Sequence, residues 1–318
     1  MKRTIILLSF IFSTSIDLFA QNKDNSATDE YVKNLGPLSA LNVATIADTI
    51  TEKFTDKYDK ARAIFYWISN NIQLDPKAIK SNDNKRTDPV DVIQFRKTTP
   101  GGFSLLIQEM CSMANIRCLS VDGYVKYNAT DINNKADDMN HSWNVVQLGQ
   151  SPEQWYYVDA AKGSGYVDLK TKLFVKQFTS EYFFADKTLF NLDHYPDNQA
   201  WQLGIGPKSL KEFYALPVIS NAAYKYGLQR PDPRTGYIKT KSDAAVKFTF
   251  NYNNKIPINN IFLQMGEEKK QWKPEPINFN DNGGSVTFTY KFKKADTYPV
   301  RIVADGNELL QYFVESEE

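Results

Sequence analysis

Histidine and cysteine are scarce, at two residues each in a chain of 318. The two histidines and nearby acids show no local metal-ligand spacing, so a zinc site has no sequence support and no metal or other cofactor is expected. Charge of one sign is equally short: 38 Lys plus Arg face 37 Asp plus Glu, a formal charge of +1. A chain so balanced lacks the basic stripe that neutralises phosphates, which excludes nucleic acid as the expected partner, and it has no acidic tail. It also lacks apolar runs of membrane-spanning length. With 24% charged residues and a mean hydropathy of -0.47, an integral membrane protein is not expected. No internal repeat is present. What the chain does have is 42% hydrophobic and 14% aromatic residues, enough to bury a sizeable core in two domains.

The N-terminus carries Lys2 and Arg3, an apolar run from Ile5 to Phe12 softened by Ser13, Ser15 and Asp17, and then Leu18-Phe19-Ala20-Gln21. That order predicts a cleaved secretory signal over residues 1–20, with the cut after Ala20. The expected location is extracytoplasmic: periplasmic, cell-surface or secreted. Loss of the segment removes two bases and one acid, so the remaining chain is formally neutral. Export places Cys111 and Cys118 in an oxidising compartment, where a bridge across the turn between them and a pair of buried thiols both stay open.

Beyond the signal, Asp56 caps a predicted helix in which Ala61, Ile64, Phe65, Ile68 and Ile72 recur at helical spacing. Asp88 to Gln94 is short and helical or extended. The Thr98-Thr99-Pro100-Gly101-Gly102 break opens a second helix, with Leu106, Met110 and Met113 on one face and Ala114-Asn115 at its end. Strands follow at Cys118 to Tyr127, Ser142 to Leu148 and Trp155 to Val158. Helices first and an antiparallel meander afterwards indicate an α+β domain. Five prolines between Tyr182 and Lys239 suggest an irregular connector over the core. Past it, Val246, Phe248, Phe250 and Tyr252, then Val286, Phe288, Tyr290 and Phe292, alternate with polar residues about an Asp281-Asn282-Gly283-Gly284 turn. With Val300 to Val303 and Leu310 to Val314, they predict a small Ig-like β-sandwich.

His141 opens one meander strand and Asp159 closes the next, so antiparallel pairing sets them side by side, as a carboxylate that orients an imidazole. His194, between Asp193 and Tyr195 before Pro196, is expected to pack a loop.

Asp59-Lys60-Ala61-Arg62 to Ile68, Gly102-Phe103-Ser104, Asn140-His141-Ser142-Trp143-Asn144 and Trp155-Tyr156-Tyr157-Val158-Asp159 occur in an order that resembles transglutaminase-like domains. Tyr182-Phe183-Phe184, His194-Tyr195-Pro196 and Trp201-Gln202-Leu203 resemble the subgroup of kyphoscoliosis peptidase. The resemblance implies a papain-like core with a cysteine at a helix start, where the dipole lowers the thiol pKa, then a histidine and an aspartate on neighbouring strands. By position, His141 and Asp159 match the last two.

The cysteine is missing. Aligning Gly102-Phe103-Ser104 with the family's Gly-Tyr-Ala puts the nucleophile position at Pro100, and a one-residue slip puts it at Gly101. Cys111 lies about 15 Å farther along the helix. Thr98, Thr99 and Ser104 are the hydroxyls nearby. The expected protein is therefore a pseudoenzyme that holds a protein or peptide, including a cell-wall peptide, in a groove around Gly101, Gly102 and Trp143. The alternative is an active cysteine-protease or transglutaminase-type enzyme acting on amide bonds through a misaligned or non-cysteine nucleophile. The implied partition is a signal at 1–20, a polar segment and lead-in helix at 21–54, a transglutaminase-like domain at 55–230 and a sandwich at 231–318.

Overall fold

The computed structural model describes residues 23–318 apart from 82, 84, 152–153, 169, 254 and 267–272. The expected signal at 1–20 lies outside the described residues. The helix Lys57–Asn71 starts where Asp56 accepts a hydrogen bond from the Tyr58 amide, and it buries Ala61, Ile64, Phe65 and Ile68 as their spacing requires. Arg62, on the same helix, is buried and forms a two-pronged ion pair with Asp29, Nε and Nη2 each 2.7 Å from a carboxylate oxygen. That pair fastens the lead-in helix Ser26–Leu35 to the core.

The central helix, Pro100–Met113, follows Thr99 in an extended conformation. Proline is suited to this first helical position because its missing N–H would have no intrahelical partner there. Phe103, Leu106, Ile107, Met110 and Cys111 are buried. Met113, expected on that face, is 40% exposed, because the core-facing stripe passes through Ile107 and the helix stops at Ala114. Gly102 is required by close approach: a Cβ there would lie 2.0 Å from Thr98 Oγ1.

Against this helix packs an antiparallel sheet in the order Trp155–Val158, His141–Gln147, Arg117–Val125, His194–Pro196. Its first three strands are the predicted meander. The fourth comes from the stretch expected to be irregular, which instead forms the helices Lys187–Asp193, Leu210–Ala215 and Asn221–Tyr226 and the strands His194–Pro196, Val218–Ile219 and Gln229–Asp232. Each is too short to show a periodic signature, and the prolines fall at element ends or between elements, except Pro231 inside the edge strand Gln229–Asp232. The segment completes one sheet and contributes a strand to each of two others.

Two further sheets occupy the C-terminal part. One runs Gln229–Asp232, Ala245–Asn251, Ser285–Lys291, Asn280–Asp281. The other runs Tyr237–Lys241, Asn307–Glu317, Asp296–Ala304, Ile261–Met265, Glu275–Ile277, with Val218–Ile219 also paired to Asn307–Glu317. Phe248 and Phe288 stack 5.1 Å apart, and Tyr312 from the other sheet meets Phe248 edge-on at 5.4 Å, so inward aromatic residues join the layers. Cys111 and Cys118 are free and buried. No helix among the described residues is long and apolar enough to cross a membrane.

Candidate functional site

His141 begins its strand opposite Gly123, and His194 begins the fourth strand opposite Val125. Both imidazoles therefore stand at the same end of the Arg117–Val125 strand. Asp159 follows the Trp155–Val158 strand and caps the helix Ala160–Ser164, its Oδ1 accepting from the Lys162 amide at 2.9 Å. Its other oxygen, Oδ2, lies 2.6 Å from His141 Nε2 and 3.1 Å from His194 Nε2. The expected His141–Asp159 contact is present. His194, assigned to loop packing, forms part of the same site, and no local pattern could reveal it because the contact depends on a fourth strand supplied from far along the chain.

All three side chains are buried. Burial pushes the Asp159 carboxyl up, but the imidazoles of His141 and His194 outweigh it and hold the group well below the usual carboxylate range. Burial lowers His194 to about 4 against the opposing pull of Asp193. An ionised carboxylate can only accept, so His141 and His194 each donate to it through Nε2. His141 Nδ1 is buried without a hydrogen-bond partner. Behind the histidines, the His194 ring stacks on Phe190 at 3.7 Å and meets Trp143 at 5.1 Å. Asp193 is paired with Lys162 at 2.6 Å and accepts from Tyr224 at 3.1 Å.

The ligand atoms of His141, Asp159 and His194 fall within 4.8 Å of one another. Two ligands about 2.0–2.1 Å from a tetrahedral metal stand roughly 3.4 Å apart, so the 2.6 Å contact fits a shared proton better than a metal cage.

In front of His141 a cleft of about 530 Å³ opens beside the start of the central helix, with Thr99, Pro100, Gly101, His141 and Ser142 on its wall. Pro100 occupies the helix start and Gly101 follows it. A Cβ on Gly101 would make ordinary contacts with Thr99 Oγ1 at 3.7 Å and Ser142 Oγ at 3.8 Å. Gly102 and Trp143, the other residues expected in a groove, are buried at 1% exposure for Trp143, the first against Thr98 and the second against Phe190.

The nearby hydroxyls are mostly engaged. Thr98 Oγ1 donates to the Arg86 carbonyl at 2.8 Å, and Ser104 shares a short hydrogen bond with Ser120. Thr99 Oγ1 is buried and unpartnered. Cys118 pairs with Val146, five residues along the strand from His141, or roughly 17 Å at strand rise. Burial and the neighbouring Cys111 push its thiol well up, the opposite of an activated nucleophile.

Residues 44–160 match the model of the transglutaminase-like superfamily. The chain carries a transglutaminase-like domain. It is 31% identical to kyphoscoliosis peptidase of Mus musculus over 263 residues, covering 82% of this chain and 38% of that protein. With the Homo sapiens protein it shares 32% identity over 238 residues, 74% of this chain and 35% of the other. Hillarin of Drosophila melanogaster is 28% identical over 205 residues, 60% of this chain and 24% of its own length. The transglutaminase-like domain thus sits with the kyphoscoliosis peptidase subgroup, while the chain spans little more than a third of those peptidases' length.

Proposed function

We propose that the chain is an exported pseudoenzyme, divided into a signal at 1–20, a lead-in segment at 21–54, a transglutaminase-like domain at 55–230 and an Ig-like sandwich at 231–318. Its cleft holds an extended protein or peptide segment, a cell-wall peptide among the candidates, without breaking it. The observation that carries this reading is the contrast across the site. Asp159 fixes His141 as a base would be fixed, yet the helix start facing the cleft carries Pro100 and Gly101 in place of a nucleophile. A histidine without a thiol or an activated alcohol has no covalent step to assist. The basic and apolar N-terminus supports export, to a periplasm, a cell surface or the medium.

A second reading rests on Thr99, whose unpartnered hydroxyl lies on the cleft wall. In that reading it serves as a non-cysteine nucleophile on amide bonds. The test is an assay of the purified protein over a broad peptide panel for hydrolysis and amine transfer, alongside binding of the same peptides. Binding without turnover supports the pseudoenzyme. Turnover abolished by His141→Ala and Thr99→Val, with the fold retained, overturns it.

A further inference from the structure

Apart from the buried Thr99 hydroxyl, the side-chain hydrogen-bond donors named on the cleft wall are already engaged, and this selects the ligand. Ser142 donates to Asp122 Oδ1 at 2.6 Å. The Asn140 amide is engaged at both ends by the Val125 backbone, at 2.9 and 3.0 Å. Tyr127 donates to the Asn140 carbonyl at 3.1 Å, and Ser120 is bonded to Ser104. Beside that hydroxyl, what remains open is the exposed carboxylates of Asp122 and Asp138 and His141 Nδ1, on a side chain only 6% exposed and without a partner. Asp159 takes the Nε2 proton on the other side of that ring. Among the described residues that line the cleft there is no lysine or arginine.

Such a site penalises an anion, which would meet two carboxylates, and favours a ligand bringing several N–H donors and positive charge. The wall adds Leu105, Met139 and the ring of Tyr127, which are 37%, 46% and 46% exposed. Apolar and aromatic surface of this kind covers an aliphatic stem and stacks on a planar cation. Separate acceptors beside an exposed aromatic ring suit the flat, five-donor guanidinium better than the compact, strongly hydrated ammonium.

We propose that the cleft is a recognition site for an arginine side chain of a bound peptide, with Asp122 and Asp138 supplying charge, His141 Nδ1 accepting an N–H, and Tyr127 and Met139 covering the stem. The inference rests on the peptide-binding reading above and names what that reading leaves open.

The test uses the purified full-length protein and five-residue peptides, blocked at both ends, that differ only at the centre: arginine, lysine, citrulline, norleucine or glutamate. Binding is followed by calorimetry at low and at physiological salt. The arginine peptide is expected to bind tightest and about ten-fold more tightly than the citrulline peptide, which keeps the shape and loses the charge, with the difference shrinking as salt rises. Asp122→Asn and Asp138→Asn, both at exposed positions, should each erase most of that difference without altering the melting temperature. Equal binding of the arginine and norleucine peptides overturns the proposal and leaves the peptide-binding reading standing. Lysine binding as tightly as arginine overturns the guanidinium assignment. If no peptide binds, the peptide-binding reading itself fails and takes the proposal with it.

Discussion

His141 and His194 donate through their Nε2 atoms to the same oxygen of Asp159, at 2.6 and 3.1 Å. The second imidazole changes what the carboxylate does. A lone His–Asp pair orients one ring, whereas here the acid also joins two strands that never pair directly, His141–Gln147 and His194–Pro196. Asp159 is therefore structural even where no chemistry takes place.

Replacing Asp159 with alanine removes both acceptor bonds and the cap on Lys162. Leaving two buried N–H groups unpaired is expected to cost about 3–5 kcal/mol. His141→Gln, which keeps a donor near Asp159, should cost about 1 kcal/mol. Denaturant unfolding of the two variants checks the ranking.

His194 gives stability a pH dependence. Its folded pKa, about 4, lies below the ordinary 6.5, so the unfolded chain binds more protons between those values and stability rises with pH across that window. The contribution is complete above about pH 6.5, declines as pH falls and is lost by about pH 4, with a span of about 3 kcal/mol. The difference in unfolding free energy between the wild type and His194→Gln, measured from pH 7 to pH 4, should shrink in the acid direction. A constant difference would contradict this account.

The paired glycines at the helix start should respond in opposite ways. Gly102→Ala forces a Cβ to 2.0 Å from Thr98 Oγ1 and is expected to destabilise by about 1–3 kcal/mol. Gly101→Ala meets only ordinary contacts and should be neutral, or stabilising by up to about 1 kcal/mol, because alanine favours a helix over glycine. Melting curves of the two single variants decide it.

Thiol chemistry tests the position assigned to the missing nucleophile. The folded wild type should resist iodoacetamide, since Cys111 and Cys118 are buried. Pro100→Cys places a sulfur at a helix start beside His141, so it should alkylate at pH 6 faster than a free cysteine, by about ten-fold. Adding His141→Ala should remove the acceleration.

Much of this architecture is legible in the chain because its signals are local. The helix 57–71 declares itself through Asp56 and its apolar stripe, and the sheet strands at 245–251 and 285–291 through strict alternation. The strand Ile261–Met265 escaped that reading because Phe262 and Gln264 turn away from the core and Phe262 blurs the pattern. His141 opens one hairpin strand and Asp159 directly follows its neighbour, so short-range topology suffices to bring them together. His194 reaches them through a three-residue strand paired to Val125, a contact that rests on long-range closure and leaves no periodic trace.

The C-terminal strand Asn307–Glu317 pairs with Val218–Ile219, and Gln311 within it accepts a hydrogen bond at 2.9 Å from the Ala129 amide. The last strand thus works as a seam between the two parts of the chain. A helix-and-sheet unit released by trimming the C-terminus would expose an unpaired strand edge and a bare amide. With that seam in place, the two parts are expected to melt together in one cooperative transition rather than as separate modules.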